Sequence, residues 1–324
     1  MDSATFILAL MDSAVRMAVP LVFAAMAGIC AERSGIVDIG LEGKMLAAAF
    51  AGAAMSAVSG SAVLGVMAAI GISIAFSMVH GFATITQRGD HVISGLAINF
   101  LASGLTVVLG AAWFKQGGQT PTLSGDQRFM SLDLPGAEWA AESLGVVGQF
   151  YDKVISGHNL LVYLSVVAVA LVWWVLTRTT FGLRLRAVGE SPHAVDTAGI
   201  SVAATRYKAL LLTGVLCGFA GAYLSLAQTA GFQREMSAGQ GYIALAAVIF
   251  GKWRPWQTLG ACYLFGILSA LEARMQGVEI PLIGTLPTQI FAALPYVLTV
   301  ILLAGFIGRA IAPKAIGQPY VKER

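Results

Sequence analysis

Apolar residues do not alternate with polar ones along this chain; they come in long runs. Nine runs stand out, at roughly 5–30, 41–59, 61–86, 92–114, 159–177, 206–228, 240–251, 256–276 and 288–308. A helix rises about 1.5 Å per residue and a bilayer core is about 30 Å thick, so about 20 apolar residues make one crossing. Run 240–251 is too short to cross alone and reads as half of an interrupted helix. Three stretches are too polar or too long for simple turns: Glu32 to Lys44, Lys115 to His158 and Arg178 to Thr205. The pattern predicts an all-α fold, a polytopic transmembrane helical bundle of about 8–10 spans. It occupies residues 1–324 as a single transmembrane domain. Met1 to Pro20 has a second reading as an interfacial helix, which changes the count by one.

Composition agrees with a bilayer. The 324 residues are 57% hydrophobic and 11% charged, against about 25% charged in an ordinary soluble domain. The 37 glycines suit membrane helices, where small residues let backbones approach closely. A net charge of +3 is too small to argue for a nucleic-acid partner. Cys30, Cys217 and Cys262 lie in apolar stretches without a CxxC or a nearby His, and read as small buried hydrophobes. The four histidines have no ligand-like spacing, so no metal is expected. No paired carboxylates and no Ser/His/Asp set can be read, so the chain is not expected to be an enzyme.

Charge sets the orientation. The stretch 178–208 holds Arg178, Arg184, Arg186, Arg206 and Lys208 against Glu190 and Asp196. The turn 251–255 and the tail after Ile307 are also basic, whereas 115–158 is acidic. By the positive-inside rule the basic segments, C-terminus included, face the cytoplasm and 115–158 faces outward. Nine crossings then put the N-terminus outside. A weak internal repeat accompanies this layout: Gly40-Leu41-Glu42-Gly43 before Leu46-Ala47-Ala48 resembles Gly239-Gln240-Gly241 before Leu245-Ala246-Ala247. The copies run in opposite directions, which predicts an inverted-topology repeat around the connecting helix 159–177.

Two constellations carry candidate chemistry. Glu32 to Lys44 packs charges between two apolar helices and is punctuated by Gly35, Gly40 and Gly43. Charges at membrane depth persist when paired or beside water, so irregular backbone buried in protein or lining a cavity is expected. Glu32, Asp38 and Glu42 are the candidate gate residues, with Asn99 in the middle of run 92–114 as a candidate substrate or helix-bridging group. Replacing Asp38 by Asn is expected to alter transport while assembly stays intact. In the second constellation, Ser191 reads as an N-cap, Pro192 as a first helical residue and Gly199 as a stop. A short amphipathic helix between basic flanks is a natural docking element for a cytoplasmic partner. No GxxxxGK[ST] occurs: Gly43-Lys44 has Asp38 where the upstream Gly belongs, and Gly251-Lys252 has Ala246. The chain therefore binds no ATP through a P-loop of its own, and energy comes from a partner subunit or an ion gradient.

The run Glu32-Arg33-Ser34-Gly35-Ile36-Val37-Asp38-Ile39-Gly40-Leu41-Glu42-Gly43 resembles the signature of ABC importer permeases of the branched-chain amino acid and simple-sugar superfamily. Its long form is similar to the nucleoside branch, with Asp38 where that branch usually has Asn. Thr180-Phe181-Gly182 through Ala187-Val188-Gly189-Glu190-Ser191-Pro192 to Ala198-Gly199-Ile200 is similar to the superfamily's cytoplasmic coupling segment. The resemblance implies that Gly189, Glu190, Ser191, Pro192, Ala194 and Gly199 take part in coupling to an ATPase. It implies ABC ATPase subunits that use the ATP, an extracytoplasmic substrate-binding protein, and a second permease chain, commonly a different one. It further implies import of a small polar solute across a bacterial cytoplasmic (inner) membrane, a nucleoside or purine-like compound before a simple sugar or a branched-chain amino acid. An ion-coupled secondary transporter without an ATPase is the rival reading.

Overall fold

In a computed structural model the chain is described over residues 3–143, 145–275 and 310–322, with 279–280, 284–285, 293–294, 297 and 300–301 between them. Helix α1 (Ser3–Arg33) runs unbroken through Pro20. That continuity replaces the reading of Met1 to Pro20 as a separate interfacial helix. After the break 34–40 come α2 (Leu41–Ser59), α3 (Ala62–Gly81, extended by a π-helical turn to Thr86) and α4 (His91–Phe114). Asp90 starts α4 by accepting from the N–H groups of Val92 and Ile93 at 2.8 and 2.9 Å.

The polar stretch 115–159 holds short helices α5 (Ala137–Ser143) and α6 (Gly145–Phe150) and an antiparallel pair, β1 (Ser131–Leu132) with β2 (His158–Asn159). Helix α7 (Leu160–Arg178) leads to α8 (Thr180–Glu190) and α9 (Pro192–Thr197). Then follow α10 (Val202–Tyr223, with a π-helical turn to Gln228), α11 (Gln240–Phe250) and α12 (Pro255–Met275). Beyond Met275 a second strand pair, β3 (Glu279–Ile280) with β4 (Gly284–Thr285), is described. Most of the predicted run 288–308 lies outside the described residues.

Six helices among the described residues are long and apolar enough to cross a membrane: Thr5–Arg33, Leu41–Ser59, Ala62–Thr86, His91–Phe114, Leu160–Arg178 and Val202–Gln228. Helix α11, with 11 residues, falls short of a span, as its run predicts. Helix α12 has spanning length but is more polar, with Gln257, Glu272 and Arg274.

Helices α1, α2 and α10 form the centre and pack on one another; α3, α4, α7 and α12 surround them. Glycines set the spacing. A Cβ at Gly218 of α10 would stand 2.5 Å from the Cα of Ile70 on α3, and one at Gly221 would stand 2.4 Å from the carbonyl of Met45 on α2. With Gly214 they form a small-residue stripe at helical spacing, which lets backbones touch. The stripe carries the contact because lipid offers no hydrophobic drive between helices. Cys30, Cys217 and Cys262 are all buried as free thiols within the central packing.

Helices α1 and α10 are antiparallel: Arg206, near the start of α10, reaches the carbonyl of Ser34, and Tyr223 at its other end donates to the carbonyl of Arg16. The bundle thus has a basic end, with Arg33, Arg186 and Arg254 around one cavity and Arg88, Arg206 and Lys322 around another. At the opposite end the 115–159 stretch docks on 226–232. Leu123 donates to Ala230 at 2.9 Å and Phe129 donates to Leu226 at 2.9 Å.

Candidate functional site at the broken helices

Two interruptions meet inside the bundle. After α1 the chain turns at Gly35, whose φ of +89° lies in the left-handed region glycine favours. It then runs along the first turns of α4. Gly95 makes this possible, since a Cβ there would come within 2.9 Å of the Gly40 nitrogen. After α10 the chain leaves helical form over 229–239 and begins again as α11. A left-handed Gly239 (φ +80°) makes the turn into that helix.

Glu42 joins the two. It lies in the first turn of α2, and its carboxylate accepts from the backbone N–H of Gly239 at 2.8 Å and of Gly241 at 2.6 Å. One carboxylate thereby serves the N-terminal ends of two helices, where orphan N–H groups and the helix dipoles favour negative charge. Asn99 fixes the other side. Its Oδ1 accepts from Gly43 N–H at 2.8 Å, and its Nδ2 donates to the Ile39 carbonyl at 3.1 Å and to the Tyr242 hydroxyl at 2.8 Å. All three polar positions of the amide are used, so Asn99 holds the break against α4 and aligns Tyr242.

One turn further along α4, Ser103 donates to the carboxylate of Glu235. Asn99 and Ser103 are half-buried, while Glu235 and Tyr242 are exposed. The four form a polar lane on one side of the molecule. Spacing on α4 hints at Asn99 and Ser103, which are four apart. Glu235 and Tyr242 carry no signal of their own, because only the non-helical return at 229–239 brings them to this lane.

Asp38 lies elsewhere. It is wholly buried, as is Lys44, and the Lys44 ammonium donates to its carboxylate. His80 stands 3.9 Å from the second Asp38 oxygen, donates to the Val37 carbonyl at 3.1 Å and contacts Ser94 Oγ at 3.0 Å. The Val37 N–H is taken by His91 Nδ1 at 3.1 Å. Lys44 has a sequence signal, a charge six residues past Asp38 across the break, but as part of Gly43-Lys44 it reads only as a failed P-loop.

Glu32 is at the basic end. The Trp253 indole donates to its carboxylate, and Arg33 donates to the Trp253 carbonyl at 3.0 and 3.2 Å. Glu32 and Arg33 together hold the turn 251–255, in which Lys252 and Trp253 both have positive φ. The structure therefore brings Glu42 and Asn99 together, sets Asp38 in its own buried pair, and places Glu32 as a fastener between α1 and the α11–α12 turn.

The predicted docking segment forms α8 and α9, with Thr179 capping α8 through Gly182 N–H at 3.1 Å. Ser191 occupies the N-cap position of α9 with Pro192 in its first turn, yet its side chain makes no capping bond. Gly199, at φ +79°, lies just past the helix end. Val188, Val195 and Val202 pack beneath the segment. Its outer surface is a shallow depression of about 600 Å³ lined by Leu183, Ala187, Glu190, Ser191, Ala194 and Ala198. Gly189 points inward, where a Cβ would stand 2.2 Å from the Arg33 carbonyl.

Residues 10–304 match the family model described as the permease component of the branched-chain amino acid transport system. The chain is 38% identical to the nucleoside ABC transporter permease NupC of Lactococcus lactis, over 94% of each chain. It is 37% identical to the guanosine ABC transporter permease NupQ of Bacillus subtilis, again over 94% of each. It is 33% identical, over 98% of its length and 99% of the relative's, to TsgC13 of Haloferax volcanii, whose name gives glucose as a provisional substrate. With a family match across most of its length and relatives aligned nearly end to end, this chain belongs to the permease family of the branched-chain amino acid transport systems and is an ABC transporter permease, a transport subunit and not itself a catalyst.

Proposed function

We propose that this permease passes a nucleoside, of the purine type, inward across a bacterial cytoplasmic membrane, driven by separate ATPase subunits. The observation that carries the substrate is the identity of 37–38%, over 94% of each chain, to permeases named for nucleosides and guanosine. The basic end faces the cytoplasm on the positive-inside rule. Helix α1 ends there, which puts Ser3 and the 115–158 stretch outside and the C-terminal tail inside.

The lane of Asn99, Ser103, Glu235 and Tyr242 suits a neutral polar solute. It offers hydroxyl and carboxylate oxygens beside an exposed aromatic ring, and Tyr242, accepting from Asn99, keeps its own proton to donate. Glu42 is the hinge of the gate, because moving α11 against α2 requires its two bonds to break. Asp38 with Lys44, and Glu32 with Trp253, anchor the break at either side. The two interruptions, each after a long central helix and both ending at Glu42, support the inverted repeat.

A loaded binding protein is received at 115–158, 229–239 and 277–287; of the last, only β3 and β4 are described. The ATPase docks on the α8–α9 depression, through Glu190, Ser191 and Ala194, with Pro192 and Gly199 bounding the short helix. A second, different permease chain completes the pathway on the open side of the lane.

The test is reconstitution. Liposomes holding this chain, its partner permease and the ATPases, supplied with binding protein, should take up labelled guanosine only with ATP, and glucose or leucine poorly. Native mass spectrometry of the complex should show two different permease chains. Guanosine uptake by this chain alone, without an ATPase, would sink the importer reading in favour of an ion-coupled transporter.

A further inference from the structure

The tail is built into the basic end. Within residues 313–318 it makes two turns, closed by Ile316 N–H to the Pro313 carbonyl at 3.1 Å and Gln318 N–H to the Ala315 carbonyl at 3.2 Å. Ala315 is 3% exposed. Its N–H donates to the Gly189 carbonyl, near the end of α8, at 2.8 Å. Two residues on, Gly317 N–H donates to the Gly35 carbonyl, in the break after α1, at 2.9 Å. Arg206 closes the same contact from α10. It is 1% exposed, and it donates from Nε to the Ser34 carbonyl at 3.2 Å and from Nη1 to the Gln318 carbonyl at 3.4 Å. The fit leaves no room at Gly35, where a Cβ would lie 3.0 Å from both the Ala315 carbonyl and Arg206 Nη2.

Direct packing of Gly189 on Arg33 ends on the last residue of α1, a 31-residue helix. The tail reaches past that helix to Gly35, the left-handed residue at the turn beyond it. We propose that tail residues 315–318, with Arg206, are positioning residues that tie the α8–α9 segment to the 34–40 break. Displacement of α8 pulls the tail through Ala315, and the tail pulls Gly35 through Gly317. Seven residues beyond Gly35 the chain reaches Glu42 and the junction of α2 with α11. The exposed pair of Lys322 with Asp196, at 3.7 Å, adds little, because such pairs are screened by solvent. The inference rests on the reading that α8–α9 receives the ATPase.

The experiment uses the whole transporter in proteoliposomes and reads ATPase binding, ATP hydrolysis and guanosine taken up per ATP. Two variants break the tie: Arg206→Met, which keeps bulk and removes both donations, and a chain ending at Ala312. Both should bind ATPase normally and keep hydrolysing, while uptake per ATP falls at least about fivefold, the lower end of ordinary coupling between sites. Lys322→Ala, losing only the exposed pair, should match the unmodified protein. Unchanged uptake per ATP in either tie variant overturns the proposal. So does loss of ATPase binding, which would make the tail a docking element, or failure of both variants to assemble, which would make it a folding element. Glu190→Arg separates the two readings. If it leaves ATPase binding intact, the α8–α9 reading fails whatever the tail does. If it blocks binding while the tie variants keep full uptake per ATP, only the tail proposal fails.

Discussion

Asp38 shows how a buried charge depends on its counterpart. Its carboxylate and the Lys44 ammonium are both fully enclosed. Asp38→Asn leaves an uncompensated ammonium in the interior, a loss of about 3–5 kcal/mol. The sequence alone suggests a variant that assembles and transports abnormally; the structure predicts one that unfolds early. Thermal unfolding in detergent should show a large drop for Asp38→Asn and recovery of most of it in Asp38→Asn with Lys44→Met, where neither charge remains. Asn99 acts differently. Asn99→Leu orphans the Gly43 N–H and the Ile39 carbonyl, each at about 1–3 kcal/mol. It also frees Tyr242. Stability and uptake should both fall, whereas Ser103→Ala, which removes the bond to Glu235, should change the KM for uptake and leave the unfolding temperature in place.

At the scale of elements, close approach governs. Gly218→Val drives a side chain into the backbone of α3 at Ile70, which cannot yield as a flexible side chain would. The expected cost is about 3 kcal/mol, the upper part of the range for overpacked cores. Gly71→Ala, on α3 with nothing within 4 Å, is the control and should unfold no earlier than the parent, since alanine favours the helix over glycine. Helix positions were largely legible in the sequence, because a bilayer demands long apolar runs; the caps at Asp90, Asn159 and Ser201 come from the structure, and Ser201 starts α10 at Val202, four residues before its apolar run. The short run 240–251 was legible as an interrupted helix for the same reason. The partners of the breaks were not. Periodicity says that Glu42 opens α2, but nothing in it says that the carboxylate reaches Gly239 and Gly241, nearly two hundred residues away. Long-range hydrogen bonds to backbone carry no residue-type code, since every residue but proline offers the same N–H. The same blindness hid the tail, whose contacts with Gly35 and Gly189 are also between backbones.

The molecule as a whole is unevenly covered. Over their apolar windows α1 is 83% buried and α10 is 78%, while α4 is 28%. A centre of three helices is thus complete within one chain, and α3 and α4 present Met67, Ile93, Phe100 and Val108 outward, as a surface made for lipid or a second membrane chain does. The burial of that centre has one practical consequence. Cys30, Cys217 and Cys262 are the only thiols in the sequence, and none exceeds 2% exposure. Thiol chemistry needs access to the sulfur, so a water-soluble maleimide should leave the folded chain unmarked and modify all three only after denaturation. The protein is then its own silent background for reporters. A cysteine placed at exposed Ala198 on the proposed docking surface, or at Glu235 in the lane, becomes the single addressable position, and its rate of labelling under ATP and binding protein turns the proposed opening of the breaks into something that can be timed.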